Sequence, residues 1–153
     1  MFHVVLIEPE IPPNTGNIAR LCLATDATLH LVRPLGFSID DKTLLRAGLD
    51  YWKETRVELW DSFAQLAAAH PQGRFWYLTT KSGRPYYAAA LLPGDFLVFG
   101  RETKGLPEPL LAANPERCLT IPMTQKTRSL NLATAVGIVL FEGMRQVRAG
   151  KAE

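Results

Sequence analysis

The stretch Ile121-Pro-Met-Thr-Gln-Lys-Thr-Arg-Ser-Leu-Asn-Leu-Ala133 decides how this chain is read. It leaves a short apolar run, Cys118 to Ile121, that Pro122 must end, because proline has no N–H to give to a strand ladder. A polar loop with Lys126 and Arg128 follows. Ser129 then opens the longest apolar helical run in the chain, Leu130 to about Val147, and is its expected N-cap. Strand, polar loop and helix start in such close succession make a place to hold a polar ligand, since the first helical turn presents free N–H groups and a partial positive charge.

Outward from this stretch the chain alternates. Phe2 to Ile7 is a continuous apolar run that fits a strand buried on both faces. Glu8-Pro-Glu-Ile-Pro-Pro13 reads as a stiff connection that no helix enters, with a helix expected from Asn14 or Thr15 and Asn14 as its cap. Ile18, Leu21, Cys22 and Thr25 give that helix one buried face. Thr28 to Val32, Thr55 to Trp60, Phe75 to Thr79, Asp95 to Phe99 and Arg117 to Ile121 read as strands. Between them, short helices are expected at Leu44 to Leu49 (capped by Asp40 or Asp41), after an Asp61 cap with Phe63, Leu66 and Ala67 inward, and over Pro107 to Ala113. Strands alternating with helices predict one α/β domain over residues 1–153, with a mostly parallel sheet flanked by helices.

Composition excludes several classes. The 153 residues are 47% hydrophobic and 21% charged, which fits one globular core. A net charge of +2 is no signature of nucleic-acid binding by itself, so any RNA contact must come from local clustering. The apolar N-terminus is too short for a membrane span or signal and lacks a basic flank, and the last helix meets Glu142 and Arg145. Cys22 and Cys118 make no metal-like spacing. As half-buried thiols they point to a reducing cytoplasm. His3, His30 and His70 are scattered and read as structural.

The common cofactor fingerprints are missing: no Gly-x-Gly-x-x-Gly follows the first strand, and there is no P-loop and no Gly-x-Ser-x-Gly elbow. Three loops after predicted strands carry the unexplained polar residues. Asn14-Thr-Gly-Asn-Ile-Ala-Arg20 places Arg20 one turn beyond Gly16. Phe99-Gly-Arg-Glu-Thr-Lys-Gly-Leu-Pro107 joins a glycine that lets backbone approach a ligand to the anionic acceptor Glu102. The opening stretch adds Arg128, Ser129 and Asn131. Each alone is an ordinary cap or turn. Ligands in open parallel sheets sit beyond the carboxyl ends of strands, where all three lie.

These three segments, in this order, resemble the motifs of the SPOUT superfamily of RNA methyltransferases in its SpoU, ribose 2′-O, branch. The matching residues are Asn14 to Arg20, Leu97 to Leu106, and Ile121-Pro-Met123 through Ser129-Leu-Asn-Leu-Ala133. Within that branch, Glu8 to Ile18, Arg46-Ala-Gly-Leu-Asp-Tyr51 and Leu78-Thr-Thr-Lys81 are similar to the minimal group that modifies the wobble nucleotide, cytidine or modified uridine, of tRNA-Leu isoacceptors. Ala133 departs from the serine many relatives carry there.

The resemblance implies a C-terminal trefoil knot, which general rules of chain threading argue against. It also implies S-adenosyl-L-methionine held by Leu78, Thr79, Gly100, Glu102, Ile121, Met123, Ser129 and Leu130, and a homodimer whose sites draw on both subunits. The catalytic set it implies is Arg20, Asn14, Glu102, Ser129 and Asn131. Arg20 is assigned to phosphate and ribose positioning, because an arginine stays protonated. Arg20, Lys81, Arg101, Lys126 and Arg128 are the expected RNA contacts, the partner being a tRNA anticodon stem-loop, with no metal and no membrane. Another RNA such as rRNA, or a knotted RNA-binding module without catalysis, stays open as an alternative.

Overall fold

The computed structural model describes residues 1–40, 42, 46 and 52–151. The expected helix with Leu44, Leu45 and Leu49 lies outside the described residues. Six strands, β1 (His3–Ile7), β2 (Thr28–Val32), β3 (Val57–Trp60), β4 (Phe75–Leu78), β5 (Phe96–Phe99) and β6 (Cys118–Leu119), form one sheet in the order β3-β2-β1-β5-β4-β6. Every pairing is parallel. The chain runs outward from β1 to β3 on one side and fills the other side with β4, β5 and β6. The order therefore reverses between β1 and β5, and the crevice of the fold lies beyond the carboxyl ends of β5, β4 and β6.

The central strands read as unbroken apolar runs because each is covered on both faces. On one face Val4, Leu6, Leu29, Leu31, Leu97 and Phe99 pack under α1 (Pro12–Thr25) and the C-terminal helix. On the other, Val5, Ile7, Val98 and Phe96 meet α2 (Phe63–Ala69) and α3 (Glu108–Ala113). The C-terminal helix, α4 (Leu132–Lys151), buries Leu132, Val136, Val139 and Leu140. Each such side chain contributes about 1.5–3 kcal/mol of transfer free energy.

Three helix starts differ from the sequence reading. α1 begins at Pro12, with Pro12 and Pro13 in its first turn and Ile11 as an N-cap without a side-chain bond. Proline is at home there, since first-turn N–H groups have no helical partner to lose. The cap of α2 is Ser62, whose Oγ accepts from Gln65 N–H at 3.1 Å, while Gln65 Oε1 accepts from Asp61 N–H at 2.8 Å. The cap of α4 is Asn131 in place of Ser129: its Oδ1 accepts from Thr134 N–H at 3.2 Å and its carbonyl from Ala135 N–H at 3.0 Å.

The histidines are not scattered. His3, His30 and His70 meet at the amino-terminal ends of the strands, with ring centroids 5.0 to 5.9 Å apart, packed on Phe96 and Trp60. His3 Nδ1 and His30 Nε2 lie 2.8 Å apart, and Trp60 Nε1 donates to His30 Nδ1 at 2.9 Å. Burial holds the His3 pKa down at about 4 and that of His30 at about 3, with the neighbouring imidazoles adding to the shift. The cluster is a structural corner, at the opposite end of the sheet from the crevice. Both cysteines are buried, and burial pushes the Cys22 thiol up to about 12. Among the described residues no helix is long and apolar enough to cross a membrane, and no group of His, Cys, Asp or Glu is placed to hold a metal.

Candidate active site

At the carboxyl ends of β4, β5 and β6 the loops that follow them enclose a cavity of about 690 Å³ with the start of α4. That is within the usual range for a small-molecule site. The β4 loop supplies Leu78 and Thr79, the β5 loop Gly100 and Glu102, and the loop before α4 supplies Ile121, Met123, Ser129 and Leu130. All eight residues expected around a cofactor thus line one space. Three of the expected RNA contacts, Lys81, Arg101 and Arg128, also face it.

The β5 loop is shaped by its two glycines. Arg101 and Gly105 exchange backbone hydrogen bonds, 2.8 and 3.2 Å, and Gly105 takes the left-handed φ of 69° that closes the turn. Gly100 sits so close beneath the return strand that a Cβ on it would stand 2.1 Å from the carbonyl carbon of Gly105. The close approach demanded of Gly100 is thus first to its own loop, which sets the wall of the cavity.

Two carboxylates clasp this loop to the one after β1. Glu102 accepts from Glu10 N–H at 2.9 Å, Ile11 N–H at 2.8 Å and Asn14 Nδ2 at 3.3 Å. In return Glu10 accepts from Thr103 N–H at 3.1 Å and Thr103 Oγ1 at 2.8 Å, and faces Arg101 at 3.5 Å. The Thr103 bonds, helped by Arg101, hold the Glu10 carboxyl below its ordinary pKa. Glu102 therefore works as a positioning residue: its negative charge sits at the start of α1 and satisfies donors that precede the first turn. Glu10 is a site residue that the sequence reading missed. The only hint was a carboxylate in a proline-bound loop that no turn or cap required.

Asn14, expected as a cap, is buried inside α1 and relays the clasp. Its Oδ1 accepts from Asn131 Nδ2 at 2.9 Å, so Glu102, Asn14 and Asn131 form one chain of hydrogen bonds. Asn14 and Asn131 stand behind the cavity wall and do not line it. Arg20 is exposed on α1 and does not line it either, and Lys126 is exposed on the loop before α4. Lys81 is ion-paired with Glu108. Thr80, Phe99, Thr103, Leu106, Thr120 and Ala135 line the cavity as well and were not expected there.

The lining fits an amphipathic small molecule. Ile121, Leu130, Leu78 and Leu106 offer apolar surface, while loop backbone and threonine hydroxyls offer directional polar contacts. Arg101 Nε is buried without a partner, a donor left over beside this space.

The sequence profile of the SpoU rRNA Methylase family matches residues 1–141. A tRNA (cytidine(34)-2′-O)-methyltransferase from Burkholderia ambifaria is 49% identical, over 95% of this chain and 96% of its own. A Bacillus subtilis protein provisionally given the same name is 52% identical, over 94% of this chain and 92% of its own. A solved structure described as giving insight into 2-OH methylation of C/U34 on tRNA superposes with a TM-score of 0.91, at 46% identity and 95% coverage of both chains. An AdoMet-bound rRNA methyltransferase from Sinorhizobium meliloti shares the fold, with a TM-score of 0.83 at 24% identity, over 94% of this chain and 56% of that one.

Proposed function

This chain belongs to the SpoU methylase family, and from that premise we propose that it methylates the ribose 2′-oxygen of the wobble nucleotide, cytidine or modified uridine, of tRNA, with tRNA-Leu isoacceptors as its targets. The observation that carries the reading is the convergence of all eight expected cofactor residues on one cavity, braced by the Glu102–Asn14–Asn131 chain. S-adenosyl-L-methionine supplies a methyl group on a positively charged sulfur, whose charge is lost as the methyl leaves.

The residues of this chain then have defined tasks. Leu78, Ile121 and Leu130 would offer the cofactor apolar surface, and the backbone around Thr79, Gly100 and Met123 would offer it polar contacts. Ser129, before the first turn of α4, offers a hydroxyl to the cofactor or to the 2′-hydroxyl. No negative charge builds up in this transfer: the positive charge passes from sulfur toward the attacking oxygen and leaves with the 2′-hydroxyl proton to solvent. The site therefore has no need of a strong oxyanion hole. It has to place the 2′-oxygen in line behind the methyl, and orientation of that kind supplies about 7–11 kcal/mol of a barrier. Arg20 takes the phosphate next to the target ribose. Lys81, Arg101, Lys126 and Arg128 line the path of the RNA backbone. DNA is rejected because it carries no 2′-hydroxyl.

The reading includes a trefoil knot and a homodimer. Supporting the knot, Thr120 pairs with the backbone of Arg84 and Tyr86, while Gln146 of α4 bonds Leu91 and Ala89, so the β4–β5 connection is tied to chain on both sides of the residue 121–131 segment. Supporting the dimer, Arg20 lies outside the lining of its own cavity, and Phe141 is 50% exposed on α4 beside Met144. A tRNA substrate puts the protein in the cytoplasm. The family description also names rRNA as a substrate class. Methyl transfer to separated tRNA and rRNA, with the modified nucleotide mapped by mass spectrometry, decides between them: 2′-O-methyl at the wobble position is expected, and label only in rRNA would replace the reading.

A further inference from the structure

Away from the cavity lining, three guanidinium groups surround one indole at the β6 edge of the sheet. Arg117, Arg84 and Arg74 lie 4.7, 5.5 and 5.6 Å from the ring centre of Trp76. The ring is buried, and its Nε1 donates to Asp95 Oδ2 at 2.9 Å. Asp95 Oδ1 also pairs with Arg74 at 2.9 Å, so that carboxylate is spent on one arginine and on the indole. Arg84 donates to the Glu116 carbonyl at 3.2 Å, and among the described residues no carboxylate pairs with Arg84 or Arg117. Gathering like charges without counter-charge is unfavourable, and cation–π attraction of about 0.5–2 kcal/mol each holds the groups in place without using up their N–H donors.

The backbone that carries Arg84 adjoins the cavity. Arg84 accepts from Thr120 N–H at 2.8 Å through its own carbonyl, and Thr120 lines the cavity. Arg117 precedes that same Thr120 by three residues. Trp76 lies two residues before the lining residue Leu78 on β4, about 7 Å along the strand. Apart from the one Arg84 N–H given to the Glu116 carbonyl, the Arg84 and Arg117 guanidinium groups are planar forks of N–H donors, the shape best matched to phosphate.

We propose that Arg84 and Arg117, held on Trp76, form a phosphodiester-binding platform for the RNA backbone along the β6 edge that leads to the cavity. The proposal rests on the reading of the protein as an RNA methyltransferase. The platform positions RNA without touching cofactor or reacting atoms, and its contacts are blind to base sequence.

The test measures the affinity of a synthetic anticodon stem-loop RNA for the wild-type protein and for R84Q/R117Q, over a range of salt concentrations. The double variant is expected to bind the RNA about tenfold more weakly, with a salt slope shallower by about 1–2. R84K/R117K, which keeps both charges, should recover most of the slope. Titration with S-adenosyl-L-methionine checks that the fold is intact, and its affinity should be unchanged. RNA affinity and salt slope equal to wild type in R84Q/R117Q would overturn the platform. So would a variant that loses cofactor and RNA binding together while R84K/R117K also fails, which marks the arginines as structural. The functional reading is judged separately by methyl transfer in the wild type: transfer with an unchanged slope sinks only the platform, and a changed slope without transfer sinks only the chemistry.

Discussion

At the scale of single residues, charge and close approach set what each side chain can do. Arg20 is exposed on α1 and stands outside the cavity lining, so Arg20→Ala should abolish methyl transfer and leave S-adenosyl-L-methionine affinity within a few-fold, as measured by calorimetry beside a transfer assay. Equal loss of both would remove the positioning role. Glu102 differs, because its carboxylate holds three donors of the neighbouring loop and helix. Glu102→Ala takes the acceptor from the Glu10 and Ile11 N–H groups, at about 0.5–1.5 kcal/mol per bond because Ile11 is open to water, and both cofactor affinity and transfer should fall. Gly100→Ala should act on the same wall by another route. Its methyl cannot be placed 2.1 Å from Gly105, so the turn must open and cofactor binding should be lost, with a lowered Tm.

At the scale of elements, much of the architecture was legible and the caps were not. The strands announced themselves as apolar runs because both faces are covered, and their parallel order follows from alternation with helices. Helix starts were misplaced where several capable residues stood together. Ser129 and Asn131 can each cap, and only the bond from Asn131 Nδ2 to Asn14, across 117 positions, shows why the second one is used. Likewise Asp61 and Ser62 compete, and Gln65 selects the serine by bonding back to Asp61 N–H. The Glu10–Glu102 clasp joins loops 92 positions apart and leaves no local pattern in either. The dual task of Asn131 gives a prediction at this scale. Asn131→Ala should lower stability by about 1 kcal/mol through the lost cap, and transfer should drop as Asn14 loses its partner. Asn131→Asp keeps the capping oxygen and should restore the Tm but not the activity.

At the scale of the whole molecule, His3 and His30 tie folding to pH. In an unfolded chain these imidazoles take protons near 6.5, whereas in the fold His3 does so only at about 4 and His30 at about 3. As pH falls through 6.5 the unfolded state binds protons that the native state refuses, so stability declines, and the decline continues until the folded pKa values are passed. Above pH 6.5 the contribution is complete. Thermal melts between pH 7 and pH 4 should show a steady fall in Tm that is reduced in His30→Gln. A flat profile would mean that the corner does not resist protonation.

The clasp and the asparagine relay have a consequence in time. The cavity wall needs residue 10 bonded to residue 103 and residue 14 bonded to residue 131, while β1 must wait for β5 before its second edge is covered. Pairings this distant in sequence form late and slowly. A ribosome releasing this chain from its first residue will therefore present a half-sheet long before it presents a binding site. Ligand affinity should appear as a single late step, only after α4 has emerged far enough for Asn131 to reach Asn14.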